Sequence, residues 1–295
     1  MPPPARAARR ELKHLVRKLG PGSRPAQTVQ ALAKVLQLCN DAADEDFMVA
    51  VAAAGATPPL LKLLRSGSSA DVQRMAALAL WGLTDSDDIA IIIAAAGGIP
   101  PLVQLLGSGS SAAVRKPAVG ALQALSRNAK TAVTIAAAGA IPPLVQLLGR
   151  GSSAEVHECS AGILCNISAC AAGSLAIAAA GAVPLLVQLL QPGSPVAVLN
   201  NAAATLASIA DWNAENAFAI PAAGAIPLLV QPLGPGSPAL VQLNAAGALL
   251  NLARNESEDI IIAAGAIPAL EQLVGPESPE RVRMVASDAL AALAE

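Results

Sequence analysis

One stretch constrains this chain more than any other: Ala136-Ala137-Ala138-Gly139-Ala140-Ile141-Pro142-Pro143-Leu144-Val145-Gln146-Leu147-Leu148-Gly149. It recurs. The glycine ahead of the proline step stands at Gly55, Gly97, Gly139, Gly181, Gly224 and Gly265, with spacings of 42, 42, 42, 43 and 41 residues. A fixed period in this range marks a repeat architecture, in which each unit buries its apolar face only against its neighbours.

The unit following Gly55 shows how one period folds. Asp85-Ser86-Asp87-Asp88 offers short acceptors and negative charge at the positive end of a helix dipole. A short apolar helix then runs to Ala96, and Gly97 ends it in a left-handed C-cap. Pro100 starts a second helix, where its missing N–H costs nothing. Leu102, Val103, Leu105 and Leu106 give that helix a buried stripe, and Gly107 stops it. A third and longest helix spans 113–126, with Val114, Ala118, Ala121, Leu122 and Leu125 at helical spacing.

The pattern predicts third helices near 26–39, 70–84, 112–126, 154–168, 196–210, 239–253 and 279–294. Second helices are expected to begin near Glu11, Pro58, Pro100, Pro142, Pro184, Pro227 and Pro268. The fold class is therefore all-α, a single solenoid domain over 1–295. It divides into an N-terminal two-helix cap, 1–40, and six three-helix repeats, 41–84, 85–126, 127–168, 169–210, 211–253 and 254–295. The acids Asp41, Asp44, Glu45 and Asp46 read as a solvated turn in the joint 40–46.

Composition supports thin, closely stacked helices. The chain is 54% apolar but holds only two Phe, two Trp and no Tyr. A net charge of −2 gives no general attraction to nucleic acid, so none is expected as a partner. Charge is uneven, however: residues 1–24 set seven basic side chains against Glu11, a net +6 that leaves −8 on the remainder. Cys39, Cys159, Cys165 and Cys170 form no Cys-x-x-Cys pair, and the basic start has no apolar signal core. A cytoplasmic location, extending to the nucleus, is expected. Residues 159–210 carry no charge at all, and 171–190 is apolar enough to suggest a membrane span. Gly181 and Pro184 stop and restart the helix inside it, which a span of that length does not tolerate without partners, so no integral membrane association is expected.

The unit resembles the armadillo repeat. Gly265-Ala266-Ile267-Pro268-Ala269-Leu270 carries the second-helix pattern, and Asn244-Ala245-Ala246-Gly247-Ala248-Leu249-Leu250-Asn251-Leu252-Ala253 the third. The resemblance covers about residues 10–295. It implies a right-handed superhelix whose third helices line a concave groove, and an Asn near the end of each third helix that clamps the main chain of an extended peptide. Side-chain amides suit that task because each offers a donor and an acceptor. The matching positions here are Gly82, Ala124, Asn166, Ser208, Asn251 and Ala292, so the row is incomplete. Nuclear-import adaptors of the importin-alpha type also carry a Trp four residues earlier; those positions are Leu78, Gly120, Gly162, Ala204, Gly247 and Asp288. The third helices are closer to the Ala-Gly-Ala-Leu type of plant and algal arrays and of plant U-box ligases, although no U-box is read ahead of the array.

Candidate peptide-binding residues are thus Asn166, Asn251 and Ser208, with the aromatics Trp81 and Trp212 close to the amide position; Phe218 follows on the next first helix, and an aromatic that does not fill a gap between repeats would weigh heavily in binding. No catalytic set is present. His14 and His157 lie in different repeats, and His157, Glu158 and Cys159 are consecutive helical residues that point about 100° apart. Gly107–Ser111 is Gly-rich but lacks the Lys-Ser/Thr of a phosphate loop. No cofactor and no metal are implied. The expected function is non-enzymatic: a scaffold or adaptor that binds a protein or peptide partner in its groove. Two alternatives stay open. One is a self-assembling homo-oligomer that uses the uncharged repeats or the split of charge. The other is a substrate-binding fragment of a larger ligase-type protein.

Overall fold

The computed structural model describes residues 14–15, 18–19, 25–41, 57–65, 67–84, 87–149, 151–212 and 214–294. Among them the regular structure is helical. The chain divides into two compact units, Met1–Pro143 and Leu144–Glu295. The first holds α1 (Pro25–Asp41), α2 (Thr57–Leu63), α3 (Ala70–Leu83), α4 (Asp87–Ala95), α5 (Ile99–Gln104), α6 (Ala112–Ser126) and α7 (Ala129–Ala137). The boundary falls in α8 (Ile141–Leu147). The second holds α9 (Ala154–Ser168), α10 (Ala171–Ala179), α11 (Val183–Leu189), α12 (Val196–Trp212), α13 (Ala214–Ala222), α14 (Ala225–Val230), α15 (Ala239–Ala253), α16 (Glu258–Ala263), α17 (Ala266–Leu273) and α18 (Glu280–Ala292).

The third helices α1, α3, α6, α9, α12, α15 and α18 lie within two residues of their expected limits. The second helices start one or two residues ahead of the expected prolines, because proline takes the second helical position in α5 and α11 and the third in α14 and α17. Most of the N-terminal cap's first helix, the joint beyond Asp41 and the first helix of the first full repeat lie outside the described residues.

The described first helices stop at a left-handed glycine. Gly97, Gly139, Gly181, Gly224 and Gly265 have φ between 75° and 80°. In this left-handed region a Cβ would be strained. At three of them the residue after the glycine reaches back five positions: Gly98 N–H donates to Ile93 (2.9 Å), Ala140 to Ile135 (3.3 Å) and Ala182 to Ile177 (3.3 Å). This is the Schellman closure, and each accepting isoleucine is fully buried beneath it.

A second device recurs at the turn between second and third helices. Gln73 Nε2 donates to the carbonyls of Leu64 (3.2 Å) and Arg65 (3.0 Å). Gln242 Nε2 does so to Leu233 (3.4 Å) and Gly234 (3.2 Å), and Arg283 Nη1 to Ser278 (2.8 Å). His157 Nε2 sits 3.1 Å from the Gly149 carbonyl at the same register. Gln73, Gln242 and His157 at the start of the third helix thereby meet carbonyls at the end of the second helix, and Arg283 meets one in the intervening turn.

Two prolines test the pattern. Pro117 lies inside α6, buried, in a helix that continues to Ser126. Pro232 ends α14 at Val230, and the chain finishes that element as a short 3-10 turn, Gln231–Leu233. A proline removes a helical N–H and crowds the preceding turn, so the tighter turn there follows from sequence.

Packing runs from third helix to third helix within each unit: α1 on α3 and α3 on α6 in the first, α9 on α12, α12 on α15 and α15 on α18 in the second. Fully buried Leu80, Leu83, Leu122 and Leu125 line the first core, with Leu164, Leu206, Ile209, Leu249 and Leu252 in the second. Among the described residues no single helix is long and apolar enough to cross a membrane; α10 and α11, which carry the uncharged 171–190 stretch, are bent by 93° at the Gly181 stop.

Candidate functional site

The candidate residues fall on third helices and must be taken unit by unit. In the first unit Trp81 stands in the last turn of α3, 37% exposed. Its indole lies against α6 at Gly120: a Cβ there would sit 2.7 Å from ring carbons Cδ2 and Cε2 and 2.9 Å from Cε3. One face of the ring thus fills the seam between two repeats, and the remainder stays open to solvent. Beside it, Arg127 Nη2 donates to the Thr84 carbonyl at 3.1 Å and ties the ends of α3 and α6 together.

In the second unit the seams are made of amides. Asn244 Nδ2 on α15 donates to Asn200 Oδ1 on α12 at 2.8 Å. Two turns further on, Asn251 Nδ2 donates to the Ala207 carbonyl at 2.9 Å. One more turn along, Asn255 Nδ2 bridges Asn251 O (2.7 Å) and Ala210 O (3.3 Å). Three amides therefore run along the α12–α15 seam, each half-buried. Between α12's start at Val196 and Ala210, and throughout α15, no side chain is charged.

The structure places the other candidates as follows. Asn166 is half-buried in the last turn of α9. Beside it Cys165 contacts α12 through a hydrogen bond with Thr205; burial pushes the Cys165 thiol up, and the Thr205 bond offsets part of that rise. Ser208 is half-buried, and its hydroxyl donates back to the Ala204 carbonyl at 3.1 Å. That bond occupies the Ser208 proton within its own helix and leaves lone pairs as its offer to a ligand. Trp212 is the last residue of α12, which runs two residues beyond its expected end, and it is 48% exposed. Asn166, Asn251, Ser208 and Trp212 belong to one unit; Trp81 belongs to the other.

Sequence reasoning missed Asn200, Asn244 and Asn255. Asn244 was readable as part of the repeat pattern, but its partner is 44 residues away where the local period is 43, so the pair does not occupy equivalent positions. The sequence offered His157 beside Glu158 and Cys159. The structure gives His157 the carbonyl-satisfying place shared with Gln73 and Gln242, with Cys159 buried and Glu158 exposed. Among the described residues no group of three His, Cys, Asp or Glu side chains could hold a metal ion.

Short three-helix units, glycine stops and third-helix seams define a right-handed α-solenoid repeat class. The sequence profile of the Armadillo/beta-catenin-like repeat matches residues 49–85, 86–127, 128–169, 171–211 and 213–254. The chain belongs to the armadillo repeat family, whose fold typically serves as a non-catalytic binding scaffold. Among curated proteins none matches the chain significantly. Solved structures do. A designed armadillo repeat protein is 33% identical, with a TM-score of 0.70, over 80% of this chain and 99% of its own. An engineered protein is 30% identical with a TM-score of 0.84, over 96% of this chain and 68% of its own. A designed armadillo repeat protein in complex with the peptide (KR)4 is 30% identical with a TM-score of 0.66, over 80% of this chain and 99% of its own.

Proposed function

We propose that this chain is an adaptor that holds an extended peptide or a helix of a protein partner against the third helices, with Asn166, Asn251 and Ser208 as polar contacts and Trp212 at the edge. The observation that carries this reading is the α12–α15 seam. Its amides are held by bonds between neighbouring helices, so they are ordered before a ligand arrives. Less side-chain freedom is then lost on binding. An amide that donates one N–H to the seam retains a second N–H and an acceptor oxygen with two lone pairs. A similar designed armadillo protein takes a peptide, which supports the general mode.

The chemistry of the preferred partner differs from that of (KR)4. From Val196 to Ala253 the sequence carries only Asp211 and Glu215 as charges; α12 holds one of them, Asp211, and α15 none. A neutral segment with main-chain amides free to pair fits it better than a run of Lys and Arg. The test is a pull-down with the full chain beside an Asn166→Ala/Asn251→Ala double variant, plus a direct titration with (KR)4. Loss of partners in the double variant and binding of (KR)4 weaker than micromolar are expected. Survival of every partner in the double variant, or micromolar binding of (KR)4, overturns the reading.

A further inference from the structure

The first helices carry an apolar row on the side turned to solvent. Six residues ahead of four of the five glycine stops stands a large apolar side chain: Ile91 and Val133 in the first unit, Leu175 and Phe218 in the second. All are exposed, Leu175 at 40% and Phe218 at 52%. In the last repeat the register shifts by one residue: Asp259 takes the position, and Ile260 beside it is 54% exposed. A helix facing water ordinarily turns polar residues outward. Here α10 exposes Ala172, Leu175, Ala176 and Ala179, and α13 exposes Phe218, Ala219 and Ala222. Scattered exposed leucines need no explanation, but exposed apolar side chains recurring on α10, α13 and α16 of the second unit make a candidate contact surface.

The second unit also fixes the sign of what could cover this row. It carries four Lys or Arg against twelve Asp or Glu. None of the four lies on α10, α13 or α16. The exposed acids Asp211 and Glu256 stand just ahead of α13 and α16 and Asp259 on α16, where exposed Arg254 precedes them; α10 has no charge on it or beside it. We propose that the Leu175–Phe218–Ile260 row docks a basic amphipathic helix of a partner protein, on a surface separate from the third-helix seams.

Spacing favours a helix. The third helices of successive repeats pack on one another, at about 8–10 Å for packed helices, and this sets the order of the interval between the first helices beside them. A helical ligand returns to one face every seven residues, at about 10.5 Å. An extended strand presents one face every second residue, at about 6.7 Å or its multiples, and falls out of step. Polyproline segments repeat at about 9.3 Å but dock in aromatic-lined grooves, and this row holds a single aromatic. Three apolar contacts at i, i+7 and i+14 match the three repeats, and Lys or Arg beside the later two contacts faces the acids around α13 and α16.

The test uses the full chain and a labelled 18-residue helical peptide of Leu and Lys with Leu at i, i+7 and i+14, read by fluorescence anisotropy. A counterpart with Glu for Lys is the control. Binding of the Lys peptide at least tenfold tighter than the Glu peptide is expected. Phe218→Glu is the deciding variant, because it makes the face more acidic while removing its largest apolar contact. Docking on the row predicts at least a tenfold loss. Attraction by charge alone predicts tighter binding, which overturns the proposal. Phe218→Ala, checked for an unchanged thermal melt, should weaken binding several-fold without adding charge. Ile91→Glu in the first unit should leave binding unaltered; an equal loss there overturns the assignment. Loss in the Asn166→Ala/Asn251→Ala variant would place the peptide on the third helices and overturn it too, which separates this surface from the proposed groove. Concentration-dependent self-association abolished by Phe218→Glu would make a second copy the occupant and reject the basic helix.

Discussion

The α3–α6 seam and the α12–α15 seam join equivalent helices by different chemistry. In the first, an indole lies in a space that a glycine leaves vacant; in the second, side-chain amides bond to one another and to spare carbonyls. Gly120 and Gly247 occupy the same register in the two regions, yet their surroundings are opposite. A Cβ at Gly120 would strike Trp81, whereas a Cβ at Gly247 would meet no atom within 4 Å. The same residue is thus required by packing in one repeat and is merely small in another. Apolar fit is unforgiving of one extra carbon, while the amide seam leaves open surface beside it on which a ligand can lie.

Gly120→Ala should break that contrast most sharply. Forcing the indole aside costs about 1–3 kcal/mol, partly offset by the better helix propensity of Ala, worth up to about 1 kcal/mol. Urea melts should show a net loss. Adding Trp81→Ala should abolish the penalty, and a double-mutant cycle measures the coupling directly. If Gly120→Ala is neutral in both backgrounds, the ring does not fill the seam.

Asn251→Ala comes next. It removes the bond to the Ala207 carbonyl, with an expected loss of about 0.5–1.5 kcal/mol. Asn251→Asp, which keeps shape but removes the donor, should lose at least as much; recovery by Asp would mean that the donated hydrogen bond is not what matters. Gly247→Ala should go the other way, raising stability by about 0.5–1 kcal/mol, because it removes a mid-helix glycine without a clash.

The smallest effect concerns pH. Burial holds the Cys165 thiol above its ordinary value of 9.0. Below that value both folded and unfolded chains keep the proton. As pH rises through the interval between the unfolded and folded values, the unfolded chain loses it first and stability falls. Cys165→Ala should flatten the decline in melting temperature above pH 9 relative to the parent chain.

The glycine stops, the proline starts and the extents of the third helices were legible because each depends on residues close in sequence. A left-handed cap needs Gly wherever it occurs, and a first-turn proline is tolerated on local grounds alone. The seams were not legible in the same way. Trp81 and Gly120 are separated by 39 positions and Asn200 and Asn244 by 44, neither of which is the repeat period. Which residue faces which depends on how one helix is shifted along the next, and that shift is set by packing. The carbonyl-binding register hid for a different reason. Gln73, His157, Gln242 and Arg283 look unrelated as letters, and share only a polar nitrogen at the end of a long enough side chain. What recurs is a nitrogen donor at one register rather than an identical residue, and His157 fills that place as Gln73 and Gln242 do.

The left-handed glycines also bear on how such a chain can lengthen. Each stop is closed by bonds within six residues of itself, so a gene segment copied from one glycine to the next brings its own punctuation with it. Unequal recombination between such segments would add or delete a whole layer without disturbing the reading of its neighbours. Drift of a residue in the spacing, 43 then 41 after three intervals of 42, falls in the stretches between these closures, where ancestry can vary the length and leave the joint intact.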